Sequence, residues 1–193
     1  MMFFMDKDNK LVWKEKSRKV VKDFRIFKAC EVTSSAPDGR ENIFVLIDSP
    51  EWVNVVCVVK NENGEDCFLM VRQYRHGSGS ITTEFPAGLV DNGEDPMAAA
   101  RRELLEETGY SAEKFILIGK ANPDPAFMNN TSYTYFAVNP VKSKEQSLDE
   151  DELIDVKIIP VKEFESKMGT GEYINAITIV AYNWYKKLES HTK

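Results

Sequence analysis

The stretch GLVDNGEDPMAAARRELLEETGY, residues 88–110, crowds carboxylates onto one short helix. Asp95 followed by Pro96 is a helix start, because the Asp side chain accepts orphan N–H groups and Pro suits the first helical position. Gly109 supplies a left-handed end. Between them Glu103, Glu106 and Glu107 are three and four residues apart, which places Glu106 and Glu107 about 60° and 40° to either side of Glu103 on one face. Like charges at these spacings cost about 0.2–0.5 kcal/mol per pair, and more where water is excluded, so something cationic is expected to offset them. Arg102 lies four residues before Glu106, but one Arg cannot balance three Glu and the nearby Glu94. Met97, Leu104 and Thr108 form a flank opposite Arg102 that is expected to pack on a sheet. Ala99 and Ala100, one turn before Glu103, are expected to leave room for a ligand or loop. Carboxylates converging beside a Gly-bounded loop offer hard oxygen ligands for one or more Mg²⁺ or Mn²⁺ ions, which usually work on phosphates. The plainer alternative is a solvated acidic face.

Outward from this helix, residues 22–47 place two β-rich runs around APDGR and read as a hairpin. WVNVVCVVK and CFLMVRQYR form a second strand pair around NENGED, and ITTEFPAG is a further short strand ending at a Pro. Beyond the helix, KFILIGKA, SYTYFAVNP and IDVKIIPV are predicted strands, and NAITIVAYNWYKKL a closing amphipathic helix. Strands and helices mix without strict βαβ alternation, which favours a mixed sheet between helices. The division expected is a β-rich extension over residues 1–50, serving as a dimerisation element, and a main domain over 51–193.

Composition narrows the function classes. A chain of 193 residues, 42% hydrophobic and 29% charged, buries a full core. Its net charge of −6, with no long Lys/Arg stripe, argues against a nucleic-acid partner and for a small substrate. Cys30, Cys57 and Cys67 have no CxxC spacing, so neither a disulfide framework nor a zinc ribbon is supported. Two histidines nearly exclude imidazole-rich metal sites. MMFFM at the N-terminus is too short for a signal sequence, and no run approaches ~18 apolar residues, so no membrane partner and a cytoplasmic location are expected. The one strong charge run is KSKEQSLDEDE, residues 142–152.

The helix stretch resembles the Nudix box, G-x5-E-x7-R-E-U-x-E-E-x-G-U, where U is a bulky aliphatic residue. Gly88, Glu94, Arg102, Glu103, Leu104, Glu106, Glu107 and Gly109 fall in register, and Tyr110 departs only in being aromatic at the last U. The resemblance implies hydrolysis of a nucleoside diphosphate linked to another group X, on a Nudix-type α/β/α sandwich with a mixed sheet, preceded by an N-terminal antiparallel extension. From about residue 22 to 187, VRQYR, EFPAG, DEDELIDV and GEYINAITIVAYNW resemble in order segments of the ADP-ribose pyrophosphatase branch, as does the position of Pro125, 16 residues after Gly109. The segment NPDPAFMNN departs from the Pro-Gly usual there.

By that resemblance Glu103, Glu107 and the Ala87 carbonyl ligate the metal, Mg²⁺ with Mn²⁺ as substitute. Glu106 shares in the binding and Arg102 orients the glutamates. Glu150 or Glu152 is the general base, unless the acidic loop is only a solvated turn. Arg75 addresses phosphate or ribose, or is a strand-end surface charge, and Glu84 adds a further carboxylate near the metal. Phe27 and Phe44 stack the adenine, unless they fill a core. Phe127, Asn129 and Asn130 face the X group. The resemblance also implies a homodimer. The substrate expected is ADP-ribose or a related nucleotide sugar, giving a nucleoside monophosphate and a sugar phosphate. Alternatives are a dinucleoside polyphosphate, NADH, a GDP-sugar or capped RNA, although the Ser-Gln-Pro-Trp signature of NADH-cleaving relatives is absent and the acidic balance weakens RNA. From another class, a non-catalytic nucleotide-sensing module remains, against which the intact glutamate set argues.

Overall fold

The computed structural model describes residues 10–150 and 152–192. MMFFM lies outside them, as does Asp151 of the acidic run. The chain divides into two compact units: one is the described chain up to Pro50 together with Asp124–Asn130, the other Glu51–Pro123 with Thr131 onward.

The larger unit is built on a seven-stranded sheet. Its central strand β4 (Trp52–Lys60) reads as a near-continuous apolar run because both faces are covered. β4 turns at Asn61–Glu65 into the antiparallel β5 (Asp66–Arg75) and runs parallel to β10 (Ser132–Val138), which pairs in turn with β9 (Lys114–Ala121). On the other side of β5 lies β12 (Ile154–Pro160), giving the order β12-β5-β4-β10-β9. The segment expected as one strand is two: β6 (Ser80–Glu84) pairs with β5 and β7 (Ala87–Leu89) with β4. Pro86, which has no N–H for a ladder, stands between them and lends its carbonyl to Val55.

Alternate side chains of β4 and β5 feed two cores. Val53, Val55, Cys57 and Leu69 pack with Ala99, Ala100 and Leu104 of α1 (Pro96–Thr108). Val56, Phe68 and Met70 pack on the opposite face with Phe164 of α2 (Val161–Lys167) and Ala181, Tyr182 and Tyr185 of α3 (Ala176–Thr192). This is the expected α/β/α sandwich. α2 and the two-residue strands β8 (Tyr110–Ser111) and β11 (Val141–Lys142), which pair with each other, were not legible in the sequence, being too short for a periodic pattern. At Gly119 the Trp184 ring lies where a Cβ would sit, so this strand position admits only glycine.

The smaller unit is a three-stranded antiparallel sheet in the order β1 (Lys14–Asp23), β2 (Lys28–Ser35), β3 (Glu41–Asp48). The expected hairpin is β2–β3; β1 was missed. Its sequence KEKSRKVVKD is exposed throughout and carries no apolar alternation, so the pairing with β2 comes from the backbone rather than from a buried face. Loop 124–130 belongs to this unit: the Ile47 N–H donates to the Phe127 carbonyl at 2.7 Å, and Met128 bridges to Ile47. No helix among the described residues is long and apolar enough to cross a membrane.

Candidate active site

Helix α1 begins and ends as its residues dictate. Asp95 accepts the N–H groups of Met97 and Ala98 at 2.9 and 3.3 Å, and Gly109, at φ 71°, donates its N–H to the Leu105 carbonyl at 2.8 Å. The face turned inward holds Leu104 and Thr108 as expected but not Met97. Ala99, Ala100, Glu103, Leu104, Glu107 and Thr108 are buried, whereas Met97 stays partly exposed. Ala99 and Ala100 therefore leave no open approach; their small side chains let the helix sit close on β4, which brings Glu103 and Glu107 down against the strand layer.

Arg102 is the main counter-charge. Its Nε and Nη2 grip Glu94 at 3.1 and 2.9 Å, Nη2 also donates to the Leu89 carbonyl at 3.0 Å, and Nη1 reaches Glu103 at 2.7 Å and Glu106 at 3.2 Å. Hydrogen bonds from Arg102 and Asp91 hold Glu94 below the usual carboxylate range. For Glu103 the balance goes the other way: burial raises its pKa against the opposing Arg102 bond, and the charges of Glu106 and Glu152 add to the rise. Gly88 lies directly against the Glu103 carboxyl, which occupies the place a Cβ would take.

Glu107 is the outlier. It is 2% exposed, and its carboxyl accepts one N–H, from Ala87 at 2.9 Å, with no ion pair among the described residues. Burial, joined by the charges of Glu103 and Glu152, pushes it up to about 8 despite that bond and the attraction of Arg75. Nearby, Glu84 is 3% exposed but richly bonded: Arg75 donates Nε and Nη2 to it at 3.0 and 2.8 Å, and Thr82 and Asn175 also donate. Those bonds outweigh burial and hold Glu84 below the usual range. Arg75 also feels the charges of Glu107 and Glu152.

The acidic loop before β12 separates its two candidates. Glu152 accepts the Asp149 N–H at 3.1 Å, and its charge is felt at Glu103, Glu107 and Arg75. Glu150 is exposed and is not among the largest influences on Glu103 and Glu107. A groove lined by Gln73, Tyr74, Ile81, Leu148 and Leu153 opens beside Glu152.

Apart from Arg75, the residues expected at the substrate's two ends lie in the smaller unit. Phe27 is half-buried against Phe24, with ring centroids 5.1 Å apart, and Phe44 is partly exposed with its ring edge-on to Trp13 at 5.1 Å. Phe127 is also partly exposed. The Asn129 amide is bonded at both ends: its Nδ2 donates to Asp48 and its Oδ1 accepts the Ser49 N–H at 3.1 Å. Asn130 is buried.

Over residues 50–177 the chain matches the model of the NUDIX domain. The chain belongs to the NUDIX family. It is 30% identical to the ADP-sugar pyrophosphatase of Mus musculus over 185 residues, covering 90% of this chain and 76% of that protein. It is 29% identical to the ADP-ribose pyrophosphatase of Bacillus subtilis over 155 residues, 80% of this chain and 82% of the relative. A solved ADP compounds hydrolase shares the fold at a TM-score of 0.77 and 19% identity, covering 93% of this chain and 95% of that one. This NUDIX chain is accordingly a hydrolase of the pyrophosphatase type, with the sandwich described above as its scaffold.

The NUDIX glutamates fit a hard divalent cation by chemistry, since they are carboxylate oxygens, one of them buried with a single N–H to hold it. They are not drawn around one point here: among the described residues no three His, Cys, Asp or Glu side chains are grouped to hold a metal ion. Arg102 holds Glu103 and Glu106, and the Ala87 N–H holds Glu107.

Proposed function

We propose that the chain hydrolyses the diphosphate bond of an ADP-linked sugar, with ADP-ribose as the leading substrate, to AMP and a sugar phosphate, using Mg²⁺, for which Mn²⁺ can substitute. The observation that carries this reading is Glu107: a buried carboxylate, raised to about 8 and facing the charges of Glu103 and Glu152, is a costly arrangement that a cation relieves. Glu103, Glu106, Glu107 and the Ala87 carbonyl would hold the ion. When bound, it supplies withdrawal of charge from the diphosphate and a lowered pKa for an attacking water.

The chain's own residues do the rest. Arg102, itself fixed by Glu94 and the Leu89 carbonyl, orients Glu103 and Glu106. Glu152 accepts the proton of the attacking water; the reach of its charge to Glu103 and Glu107 favours it over Glu150. Arg75, anchored through two of its nitrogens on Glu84, directs its remaining donors at phosphate. Phe27, Phe44 and Phe127 retain ring surface for the base or the X group, and Asn130 follows Phe127 by three residues. Asn129, engaged with Asp48 and Ser49, acts by holding its loop. The names of the mouse and Bacillus relatives support an ADP-containing substrate. A screen of nucleoside diphosphate compounds with Mg²⁺, products identified by mass, tests the reading. ADP-ribose should be cleaved fastest, to AMP and ribose 5-phosphate. Faster cleavage of NADH, a GDP-sugar or a dinucleoside polyphosphate would reassign the substrate, and no Mg²⁺-dependent cleavage of any compound would refute hydrolysis.

A further inference from the structure

Helix α1 ends where its glutamates do, and its last carbonyls need donors from outside the helix. One short segment provides them in order. The Ser147 N–H donates to the Glu106 carbonyl at 2.9 Å, Gln146 Nε2 to that of Glu107 at 2.6 Å, and Lys142 Nζ to that of Thr108 at 3.1 Å. The Ser143 and Lys144 N–H groups both reach the Gly109 carbonyl, at 2.9 and 3.1 Å. Two of these four carbonyls belong to the glutamates of the site. The same segment runs directly into the loop that bears Glu152.

Gln146 does more than cap. Its Nε2 also donates to the carbonyl of Ile154, the first residue of β12, at 3.3 Å. One side chain thus joins the end of the glutamate helix to Ile154, two residues after Glu152. The chemistry is specific: a primary amide has two N–H donors on one nitrogen, and here both face carbonyls, so the nitrogen assignment follows from the partners. A carboxylate of the same shape could donate to neither. Above this clasp the loop is held by a reciprocal pair, the Glu152 N–H to the Asp149 carbonyl and the Asp149 N–H to the Glu152 carboxylate, each 3.1 Å.

We propose that Gln146 is a positioning residue for the hydrolysis: by clasping α1 to β12 it sets the register between Glu152 and the helix glutamates. This rests on the reading of Glu152 as the base. Misplacing a reacting group by about 1 Å can cost on the order of 100-fold in rate. Hence Gln146→Ala and Gln146→Glu should lower kcat about 10- to 100-fold while KM stays within about two-fold. Gln146→Lys, which returns N–H donors at a helix C-terminus, should recover most of the loss.

The deciding measurement is a double-mutant cycle on kcat with Mg²⁺ and ADP-ribose, or the fastest-cleaved compound of the screen. Each rate is taken per folded enzyme below the thermal transition. If Gln146 acts through Glu152, then Gln146→Ala should change kcat less than about two-fold in a Glu152→Gln background. Multiplying effects would show a merely structural cap and overturn the proposal, as would wild-type kcat in both Gln146→Ala and Gln146→Glu. Wild-type kcat in Glu152→Gln itself would remove the base assignment, and this proposal with it. An impaired Glu152→Gln beside unimpaired Gln146→Ala and Gln146→Glu would overturn the positioning role alone. Should Gln146→Ala not fold, Gln146→Glu takes its place in the cycle, with Gln146→Lys as the rescue control.

Discussion

Replacing Glu107 by Gln should stabilise the metal-free protein and abolish its function. The buried carboxyl is raised to about 8 from an ordinary 4.5, chiefly by burial, with the charges of Glu103 and Glu152 adding to it. Between those two values the folded chain holds a proton that the unfolded chain has released. Stability of the wild type therefore falls as pH rises from about 4.5 to about 8 and stays low above it. Integrated to pH 7, such a shift corresponds to at most roughly 3 kcal/mol, and structural relaxation brings the expected gain to about 1–3 kcal/mol. Gln keeps a carbonyl oxygen for the Ala87 N–H and never ionises. For a chain of this size the gain amounts to a rise in Tm of roughly 3–10 °C. Thermal unfolding in EDTA at pH 5, 7 and 8 should show the mutant's advantage growing with pH. Added Mg²⁺ should raise the Tm of the wild type and not that of the mutant, because only a ligand that binds the folded state stabilises it. Turnover should fall by at least about 100-fold, since one carboxylate of the proposed metal-binding set is lost. A Glu107→Gln protein that melts below the wild type at pH 8 in EDTA, or that turns over at the wild-type rate, would refute the reasoning.

Three further outcomes follow from named contacts. Gly88→Ala should displace the Glu103 carboxyl, which sits where the new Cβ must go, and so lower Mg²⁺-dependent kcat while the circular dichroism spectrum stays that of the wild type; unchanged kcat would show that Glu103 can move without consequence. Glu84 has the opposite sign to Glu107: its pKa is depressed, so its contribution is present above its ordinary value of 4.5 and lost as pH falls through the lower folded value. Glu84→Gln should cost about 1–3 kcal/mol at pH 7, reduced from the buried-pair range because Arg75 is partly exposed, and the deficit should shrink on acidification; a constant deficit from pH 7 to 3 would sink the assignment. The outer strands of the three-stranded sheet expose Val20, Val21, Ile43 and Val45, and light scattering at micromolar concentration should give twice the 22.0 kDa of one chain. A fully active monomer would end the proposed homodimer.

Much of the site was legible because its signals are local. Asp95, Pro96 and Gly109 bound the helix through contacts within a few residues, and the spacing of Glu103, Glu106 and Glu107 shows their shared face from helical geometry alone. The turns at Asn61–Glu65 and after Ser35 were likewise readable from Asn, Asp, Pro and Gly. β1 was not, because a charged strand exposed along its length leaves no alternating pattern. Nor was the role of Ala99 and Ala100, whose position on the wheel is compatible with an open face until β4 is laid against them.

The sequence by itself determined which carboxylates stand together and what chemistry they offer. Tertiary structure decided which of them carries the stress. Glu103, Glu106 and Glu107 are near neighbours on one helix, yet Arg102 reaches the first two and not the third, while the sheet buries the third most deeply. That sheet depends on β4 running parallel to β10, a pairing whose partners Asn54 and Thr134 are far apart in the chain. Gln146, read in sequence only as part of an acidic run, takes its place from carbonyls of Glu107 and Ile154 that folding brings to one nitrogen. Helical spacing acts over one or two turns and is written in consecutive residues. Desolvation, ion pairing and a shared hydrogen-bond donor depend on distances through space between residues remote in sequence.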